Sequence, residues 1–96
     1  MNKNDKISIV MPNYNSSLFL EKTINSIKNQ TYGRWELIII DDNSNSETKE
    51  LLKKIKKNKK IKVHYLLSNK GDGFCRLYGI KKSKYKYIAF IDSDDI

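Results

Sequence analysis

Short apolar runs separated by turn-forming residues organise this chain. The run from Ile7 to Met11 predicts a buried strand that stops at Pro12, because proline cannot donate to a sheet ladder. The run from Trp35 to Ile40 is nearly continuous, which is typical of a strand covered on both faces. Alternation over residues 61–67 predicts a strand near a sheet edge, and Tyr87 to Ile91 predicts a last buried strand.

Helical periodicity separates these strands. Apolar residues recur at helical spacing after the first strand: Leu18, Leu20, Ile24 and Ile27. Ser44 and Glu47 have capping-box spacing and predict the start of a second helix. A third, short helix is predicted around Phe74 to Lys81. The order β-α-β-α-β-α-β implies right-handed crossovers and a parallel sheet with helices on both faces.

Composition narrows the class of protein without choosing a ligand. Ninety-six residues form one domain at most, and one proline with four glycines argues against a disordered or fibrous chain. The formal net charge of +8 attracts anions in general, whether nucleic acid, anionic lipid or a nucleotide diphosphate. Cys75 is the only cysteine, so no intrachain disulfide is possible.

The N-terminal segment and a lysine-rich segment predict where the protein is located and which surface is solvated. The apolar run near the N-terminus is too short for a signal peptide or a membrane span, so we expect a cytoplasmic location, with the inner face of the cytoplasmic membrane as the alternative. Seven lysines fall between Lys53 and Lys62. They are expected to form a solvated helix face, with phosphate or anionic lipid contact as the alternative.

Three polar clusters follow predicted strands. They are Pro12-Asn13-Tyr14-Asn15, Asp41-Asp42-Asn43 and Asp92-Ser93-Asp94-Asp95. In open parallel sheets, ligands bind in the crevice outside the carboxyl ends of the strands. We therefore expect the three clusters to line one crevice.

The acidic residues of these clusters suggest two kinds of chemistry. Asp92 and Asp94 suit a hard cation such as Mg²⁺ or Mn²⁺, although an exposed acidic loop is the structural alternative. Asp41 and Asp42 can accept hydrogen bonds from a ribose hydroxyl or a base N–H, or can serve a helix N-terminus. No GxGxxG or Walker A spacing is present in the required context, so phosphates would be held through a metal.

Five segments, in chain order, resemble motifs of the family 2 glycosyltransferases. They are Ile7 to Asn15, Ser26 to Tyr32, Trp35 to Ser44, Asn69 to Gly71 with Arg76 and Gly79-Ile80, and Ile88 to Asp95, the last similar to the strand with the DxD motif. The resemblance implies a three-layer, Rossmann-like GT-A fold with strand order 3-2-1-4. Residues 1–96 would form its N-terminal, nucleotide-binding half.

The resemblance also implies residue roles. The nucleotide would contact Pro12, Asn13, Tyr14, Asp41, Asp42, Arg76 and Asp92. Asp92 and Asp94 would ligate a Mn²⁺ or Mg²⁺ ion that bridges the diphosphate. Where the family often has Ala-Arg-Asn, this chain has Cys75-Arg76-Leu77, so one helix contact is lost while Arg76 is kept.

The implied reaction is transfer of a sugar from a nucleotide-diphospho-sugar, expected to be a UDP-sugar, to a polysaccharide, lipid or protein acceptor. In inverting members, the general base and the acceptor site lie beyond the DxD motif, so residues 1–96 are expected to hold no catalytic base and to be inactive alone. Expected partners also include a second copy of the chain and the membrane surface, but no nucleic acid.

Other protein classes fit less well. A non-catalytic nucleotide-binding fragment is the first alternative, and a basic nucleic-acid-binding module is the second. In a response-regulator receiver domain the acidic pair follows the first strand, and in haloacid-type phosphatases the D-x-D does so. Here the acidic pairs follow the second and fourth strands, which contradicts both.

Overall fold

The computed structural model describes residues 5–30 and 33–93. In chain order, the elements are β1 (Ile7–Asn13), α1 (Ser17–Lys28), β2 (Trp35–Asp41), α2 (Ser46–Ile55), β3 (Ile61–Tyr65), α3 (Asp72–Lys82) and β4 (Tyr87–Phe90). All neighbouring strands are parallel, and their order is β3-β2-β1-β4, as predicted. None of the helices in the described ranges is long and apolar enough to cross a membrane.

The two faces of the sheet carry different helices. On one face, Met11 and Leu37 pack in a core with apolar residues of α1 and α2, including Leu20, Ile24 and Leu52. On the other face, Ile38 and Ile40 pack against Cys75 of α3. Consecutive strand residues point to opposite faces, so the continuous apolar run of β2 supplies both cores. The chain thus forms a three-layer α/β fold, with the sheet between two helical layers.

Helix α3 lies very close to β1, because Gly79 has no side chain. A Cβ atom built on Gly79 would lie 2.3 Å from Cγ1 of Val10. Atoms cannot approach so closely, and a larger residue would push α3 off the sheet. This contact fixes the helix that carries Arg76 above the carboxyl end of β1.

Strand β1 extends past Pro12, which corrects the prediction that it stops there. Pro12 pairs with Ile40 and Asn13 pairs with Asp41. The Val10 carbonyl accepts from the Ile91 amide on the β4 side, whereas the Asn13 carbonyl accepts from Asp42 on the β2 side. Pro12 lies two residues after Val10, so its missing N–H faces β4. Pro12 therefore ends only the pairing with β4.

Two further predictions were wrong. The N-cap of α2 is Asn45, whose side chain accepts from the Thr48 amide, whereas the side chains of Ser44 and Glu47 bond elsewhere. Strand β4 ends at Phe90 and is largely exposed, although its apolar sequence predicts a buried strand. It is an edge strand, and in the described part of the chain no further strand pairs with its outer side.

Candidate nucleotide-sugar site

A cavity of about 280 Å³ opens at the carboxyl ends of β1 and β4. Its lining comprises Pro12, Tyr14, Ser16, Asp72, Asp92 and Ser93. Residues of the first and third polar clusters line this cavity, whereas the second cluster, Asp41-Asp42-Asn43, which was predicted to join them, does not contribute to its lining. Asp72, at the start of α3, also lines the cavity, and it was not among the predicted site residues. Asp72 could have been predicted from its position, because it directly follows the loop from β3 to α3, and that loop lies at the same edge of the sheet.

The end of β1 presents one exposed and one buried polar side chain. Tyr14 is 52% exposed and lines the cavity, whereas Asn13 is 2% exposed. The Asn13 amide nitrogen donates to Asp41 Oδ1 at 3.1 Å. The Oδ1 atom of Asn13 is also buried, and it has no hydrogen-bond partner among the described residues. A buried acceptor of this kind is costly unless a donor reaches it, so a ligand donor near the end of β1 would satisfy it.

Asp41 is fully buried and holds the turn that follows β2. Its carboxylate accepts from the Ser44 amide at 3.1 Å, from Ser44 Oγ at 2.5 Å and from the Asn13 side chain. Three hydrogen-bond donors thus surround this carboxylate. The turn itself requires a left-handed backbone at Asn43, with φ of 60°. Asparagine tolerates this region better than most residues.

Asp42 holds the loop between β3 and α3. Its two carboxylate oxygens accept from the backbone amides of Lys70 at 2.7 Å and Gly71 at 3.0 Å. Gly71 has a φ of 87°, a conformation that L side chains rarely adopt. The loop therefore folds onto Asp42, and α3 begins directly beside the polar edge of the sheet.

Cys75 lies behind this loop and is not a candidate nucleophile. Burial raises the pKa of its thiol to about 11, and the carboxylates of Asp42, Asp72 and Asp41 add to the shift. Because the thiolate is the reactive form, a thiol with so high a pKa is chemically inert near neutral pH. Cys75 is fully buried in α3, where it packs against Ile38 and Ile40.

Arg76 and Asp92 meet at the mouth of the cavity. Nη2 of Arg76 lies 3.5 Å from Oδ1 of Asp92, and both side chains are about half exposed. The sequence predicted both as site residues but gave no reason for them to touch. An exposed pair at this distance is weak, so each partner stays available to a ligand.

The turn after β4 is anchored on α1. The buried hydroxyl of Thr23 donates to the Ser93 carbonyl at 2.7 Å. Ser93 Oγ donates to Ser16 Oγ at 2.8 Å, and Ser16 Oγ in turn donates to the Tyr14 carbonyl at 3.0 Å. Sequence analysis missed Thr23 and Ser16. The available signal was Thr23 itself, a polar residue on the buried stripe of α1, three residues after Leu20 and four before Ile27.

Of the two predicted metal ligands, Asp92 lies within the described residues. Asp92 lines the cavity, and Asp72 supplies a second carboxylate there, which is the oxygen chemistry that Mg²⁺ and Mn²⁺ prefer. Asp94 lies outside the described residues. Within residues 5–30 and 33–93, no group of three or more His, Cys, Asp or Glu side chains is placed to hold a metal ion. Asp92 fits a cation that substrate phosphates also ligate.

Comparison with known proteins identifies relatives of this architecture. The family model for Glycosyl transferase family 2 matches residues 8–96. The poly(ribitol-phosphate) beta-N-acetylglucosaminyltransferase TarP of Staphylococcus aureus is 43% identical over 96 residues, which cover 95% of this chain and 29% of that protein. The Escherichia coli protein WfgD, a UDP-Glc:alpha-D-GlcNAc-diphosphoundecaprenol beta-1,3-glucosyltransferase, is 38% identical over 94% of this chain and 35% of its own length.

A solved structure agrees in fold as well as in sequence. Residues 1–349 of S. aureus TarS in complex with UDP-GlcNAc superpose with a TM-score of 0.84 at 31% identity, covering 93% of this chain and 26% of that one. The chain spans between 13% and 36% of the length of the curated relatives it matches. The match of the family model over nearly the whole chain and the agreement in fold lead to one conclusion: the chain belongs to glycosyl transferase family 2.

Proposed function

We propose that this chain forms the donor side of a glycosyltransferase that takes its sugar from a UDP-sugar. The observation that carries the proposal is the cavity where Tyr14 and Asp92 meet beside Arg76. It lies at the carboxyl ends of parallel strands, where ligands of open α/β sheets bind. The relative solved with UDP-GlcNAc supports a uridine nucleotide as the ligand.

Groups in the cavity lining, together with Asp42 and Arg76 outside that lining, match the parts of a nucleotide. The exposed ring of Tyr14, with Pro12 beside it, offers an apolar surface for the base. Asp42 is 8% exposed, and a carboxylate has about four acceptor positions, so it can accept a base N–H besides its two backbone donors. Arg76 presents a guanidinium to the diphosphate, which it can bind by two parallel hydrogen bonds.

In this proposal, Asp92 and Asp94 hold a Mn²⁺ or Mg²⁺ ion together with the diphosphate. When bound, such an ion supplies Lewis-acid stabilisation of the negative charge on the departing nucleoside diphosphate. The hydrogen bond from Thr23 to the Ser93 carbonyl fixes the backbone next to Asp92, so α1 would help to orient the Asp92 carboxylate toward the ion. Arg76, whose exposed pair with Asp92 is weak, would remain available to bind the diphosphate beside the ion.

The acceptor belongs to the same proposal. One relative is named for poly(ribitol-phosphate) and another for a diphosphoundecaprenol-linked sugar, so we assign a glycan of the cell envelope, free or lipid-linked, as the acceptor. The protein would work in the cytoplasm or at the inner face of the cytoplasmic membrane. The general base and the acceptor site are expected outside the described residues, as the family resemblance implies.

Calorimetric titration with UDP, with and without Mn²⁺, tests the donor site. We expect binding that Mn²⁺ strengthens. Arg76→Ala should weaken UDP binding in both conditions by about tenfold, because a charge-assisted hydrogen bond is worth about 1.5–3 kcal/mol. Asp94→Ala should remove only the increment that Mn²⁺ provides.

Glu50→Gln is the matched control. Glu50 is exposed on α2, forms an ion pair with the exposed Lys53 at 3.1 Å, and is not in the lining of the cavity. Its loss of one negative charge should leave UDP binding unchanged. A folded chain that binds no UDP in any metal condition, or an Arg76→Ala variant that binds like the parent, would contradict the proposal.

A further inference from the structure

Each strand of the sheet is preceded by basic residues. Lys6 precedes β1, Arg34 precedes β2, Lys59 and Lys60 precede β3, and Lys84 and Lys86 precede β4. Because the four strands are parallel, all of these positions lie at the amino edge of the sheet. The acidic residues Asp41, Asp42 and Asp92 lie at the opposite edge, so the molecule is electrostatically polarised along its strands.

The structure brings these cations together around one concavity. A cavity of about 310 Å³ has six basic residues in its lining: Lys6, Arg34, Lys59, Lys60, Lys62 and Lys84. With Lys86 of an adjoining cavity, whose lining also includes Asp5, these six residues are called the basic face below. The carboxylate in the lining of the first cavity, Glu36, is 5% exposed and accepts from Ser8 Oγ at 2.6 Å and from the Lys84 amide at 2.7 Å. The Glu36 carboxylate is thus buried, so the exposed charges in the lining of this cavity are positive.

Aromatic rings support several of these lysines. Nζ of Lys60 lies 4.2 Å from the Trp35 ring centroid, and Nζ of Lys6 lies 5.3 Å from that of Tyr85. Nζ of Lys86 lies 5.6 Å from the centroid of Tyr87, whose side chain is 37% exposed. Tyrosine and lysine together are typical of protein surfaces at a membrane interface, where rings and alkyl stems lie at headgroup level and ammonium groups reach phosphates.

Helix capping does not account for the basic face. Lysines at helix C-termini, such as Lys53, Lys54 and Lys82, offset the negative end of the helix dipole. Every member of the basic face lies in a loop or in a strand, outside α1, α2 and α3. Packing like charges together is unfavourable unless an anionic partner compensates them.

We propose that the basic face docks on an anionic lipid bilayer. Loops from four adjacent strands span about 15 Å, which forms a broad surface rather than a single groove. Six of its seven cations are lysines and one is arginine. Lysine acts as a point charge that responds to surface potential, whereas bidentate phosphate recognition and nucleic-acid contact favour arginine.

This orientation has a geometric consequence. Strands β1 and β2 are each seven residues long, so at about 3.3 Å per residue the carboxyl edge lies roughly 23 Å above the docked edge. The donor cavity then faces the aqueous phase from which a soluble nucleotide-sugar arrives. Docking itself does not depend on the chemistry of that cavity.

Co-sedimentation of the 96-residue chain with vesicles tests the docking surface. We expect binding to phosphatidylcholine vesicles in which about a third of the lipid is phosphatidylglycerol, and little binding to pure phosphatidylcholine. Raising the salt from about 0.1 M to about 0.5 M should release the protein, because the added salt screens the attraction between the cations of the basic face and the lipid headgroups. The double variant Lys59→Glu/Lys84→Glu should bind at least about tenfold more weakly.

Lys22→Glu/Lys49→Glu is the matched control, because it changes the net charge equally with residues of α1 and α2 outside the basic face. It should bind within about threefold of the parent chain, since its distant charges are largely screened. Thermal unfolding checks that both variants fold. Equal losses in the two variants, or no preference for anionic vesicles, would overturn the proposal. So would a single-stranded oligonucleotide that displaces the vesicles and loses affinity in the Lys59→Glu/Lys84→Glu variant, because the surface would then serve nucleic acid.

Discussion

At the scale of residues, the adjacent aspartates after β2 have different surroundings. Asp41 is enclosed by Asn13 and Ser44, whereas Asp42 faces the loop before α3. Both fit the family motif, and the sequence predicts a nucleotide contact for each. The geometry favours Asp42 for direct contact, because Asp41 would have to give up buried donors to reach a ligand.

The substitution Asp41→Asn should reduce stability more than it reduces nucleotide binding. An asparagine keeps one acceptor oxygen and turns an NH₂ group toward buried donors, so the free energy of unfolding should fall by about 1–3 kcal/mol. Urea denaturation measures this as a lower midpoint at unchanged slope. The UDP affinity of the folded variant should stay within about threefold of that of the unsubstituted chain. This is a smaller change in binding free energy than the loss of one hydrogen bond would cause.

Asp42→Asn provides the comparison. It should weaken UDP binding by at least about tenfold, because a carboxylate acceptor to the base is lost. If Asp41→Asn abolishes UDP binding in a folded chain while Asp42→Asn does not, the assignment is reversed.

At the scale of elements, hydrogen bonds across the chain decide how strand ends and helix starts are used. Ser44 has capping-box spacing with Glu47, yet its hydroxyl donates to Asp41 and Asn45 caps α2 instead. The Ser44 hydroxyl donates to the Asp41 carboxylate and its oxygen accepts from the Asn15 amide, so Asn45 supplies the acceptor for the first turn of α2 and the cap lies one residue later. Likewise, α1 serves the site through Thr23, whose bond to Ser93 joins residues 70 positions apart.

Thr23→Val should loosen the turn after β4. The variant keeps the shape of the side chain but leaves the Ser93 carbonyl without its donor. We expect amide hydrogen exchange at Ile91 to Ser93 to accelerate by roughly tenfold, the equivalent of about 1.4 kcal/mol. Because that turn is proposed to hold the metal, the gain in UDP affinity from Mn²⁺ should also shrink.

Two variants separate this effect from general destabilisation. Thr23→Ser keeps a hydroxyl and should restore both exchange and the Mn²⁺ response. Ser26→Ala removes an exposed hydroxyl whose bond runs to the Thr23 carbonyl within α1, and it should change neither. Slow exchange in Thr23→Val would show that the turn does not depend on α1.

At the scale of the whole molecule, the side of the sheet that carries α3 is incompletely covered. Phe90 pairs with Val10 and therefore points to the α3 face, where it is 49% exposed. Phe74 and Leu77 of α3 are 44% and 64% exposed beside a shallow pocket that they share with Tyr78. An exposed apolar patch of this kind is typical of an interaction surface, so we propose it as the contact of the dimer that the sequence analysis expects.

The chain should therefore associate reversibly at high concentration, as measured by sedimentation velocity. Leu77→Ser should weaken that association by about tenfold, because burying a leucine contributes about 1.5–3 kcal/mol. Leu18→Ser is the control, since Leu18 is 83% exposed on α1 of the opposite layer. If both variants weaken association equally, or the parent stays monomeric, the α3 face is not the contact.

Sequence and tertiary structure contributed different parts of this picture. The alternation of apolar runs and helical stripes predicted every element, because periodic burial is a local property of the chain, whereas the strand order followed from the family resemblance. The convergence of Pro12, Tyr14 and Asp92 followed from parallel topology, since strand ends meet at one edge. The exposure of β4 did not follow, because an apolar run carries no information about which neighbours cover it.

The residue pattern was sufficient to predict the family, the layers of the fold and the polar edge where the donor is proposed to bind. The folded chain was needed to show that Asp41 faces inward, that Thr23 holds the turn after β4, and that cations from four loops share one face. These contacts join residues far apart in the chain, and a side chain finds such partners only through packing. Periodicity specifies which face of an element is buried, but it does not specify which atoms meet there.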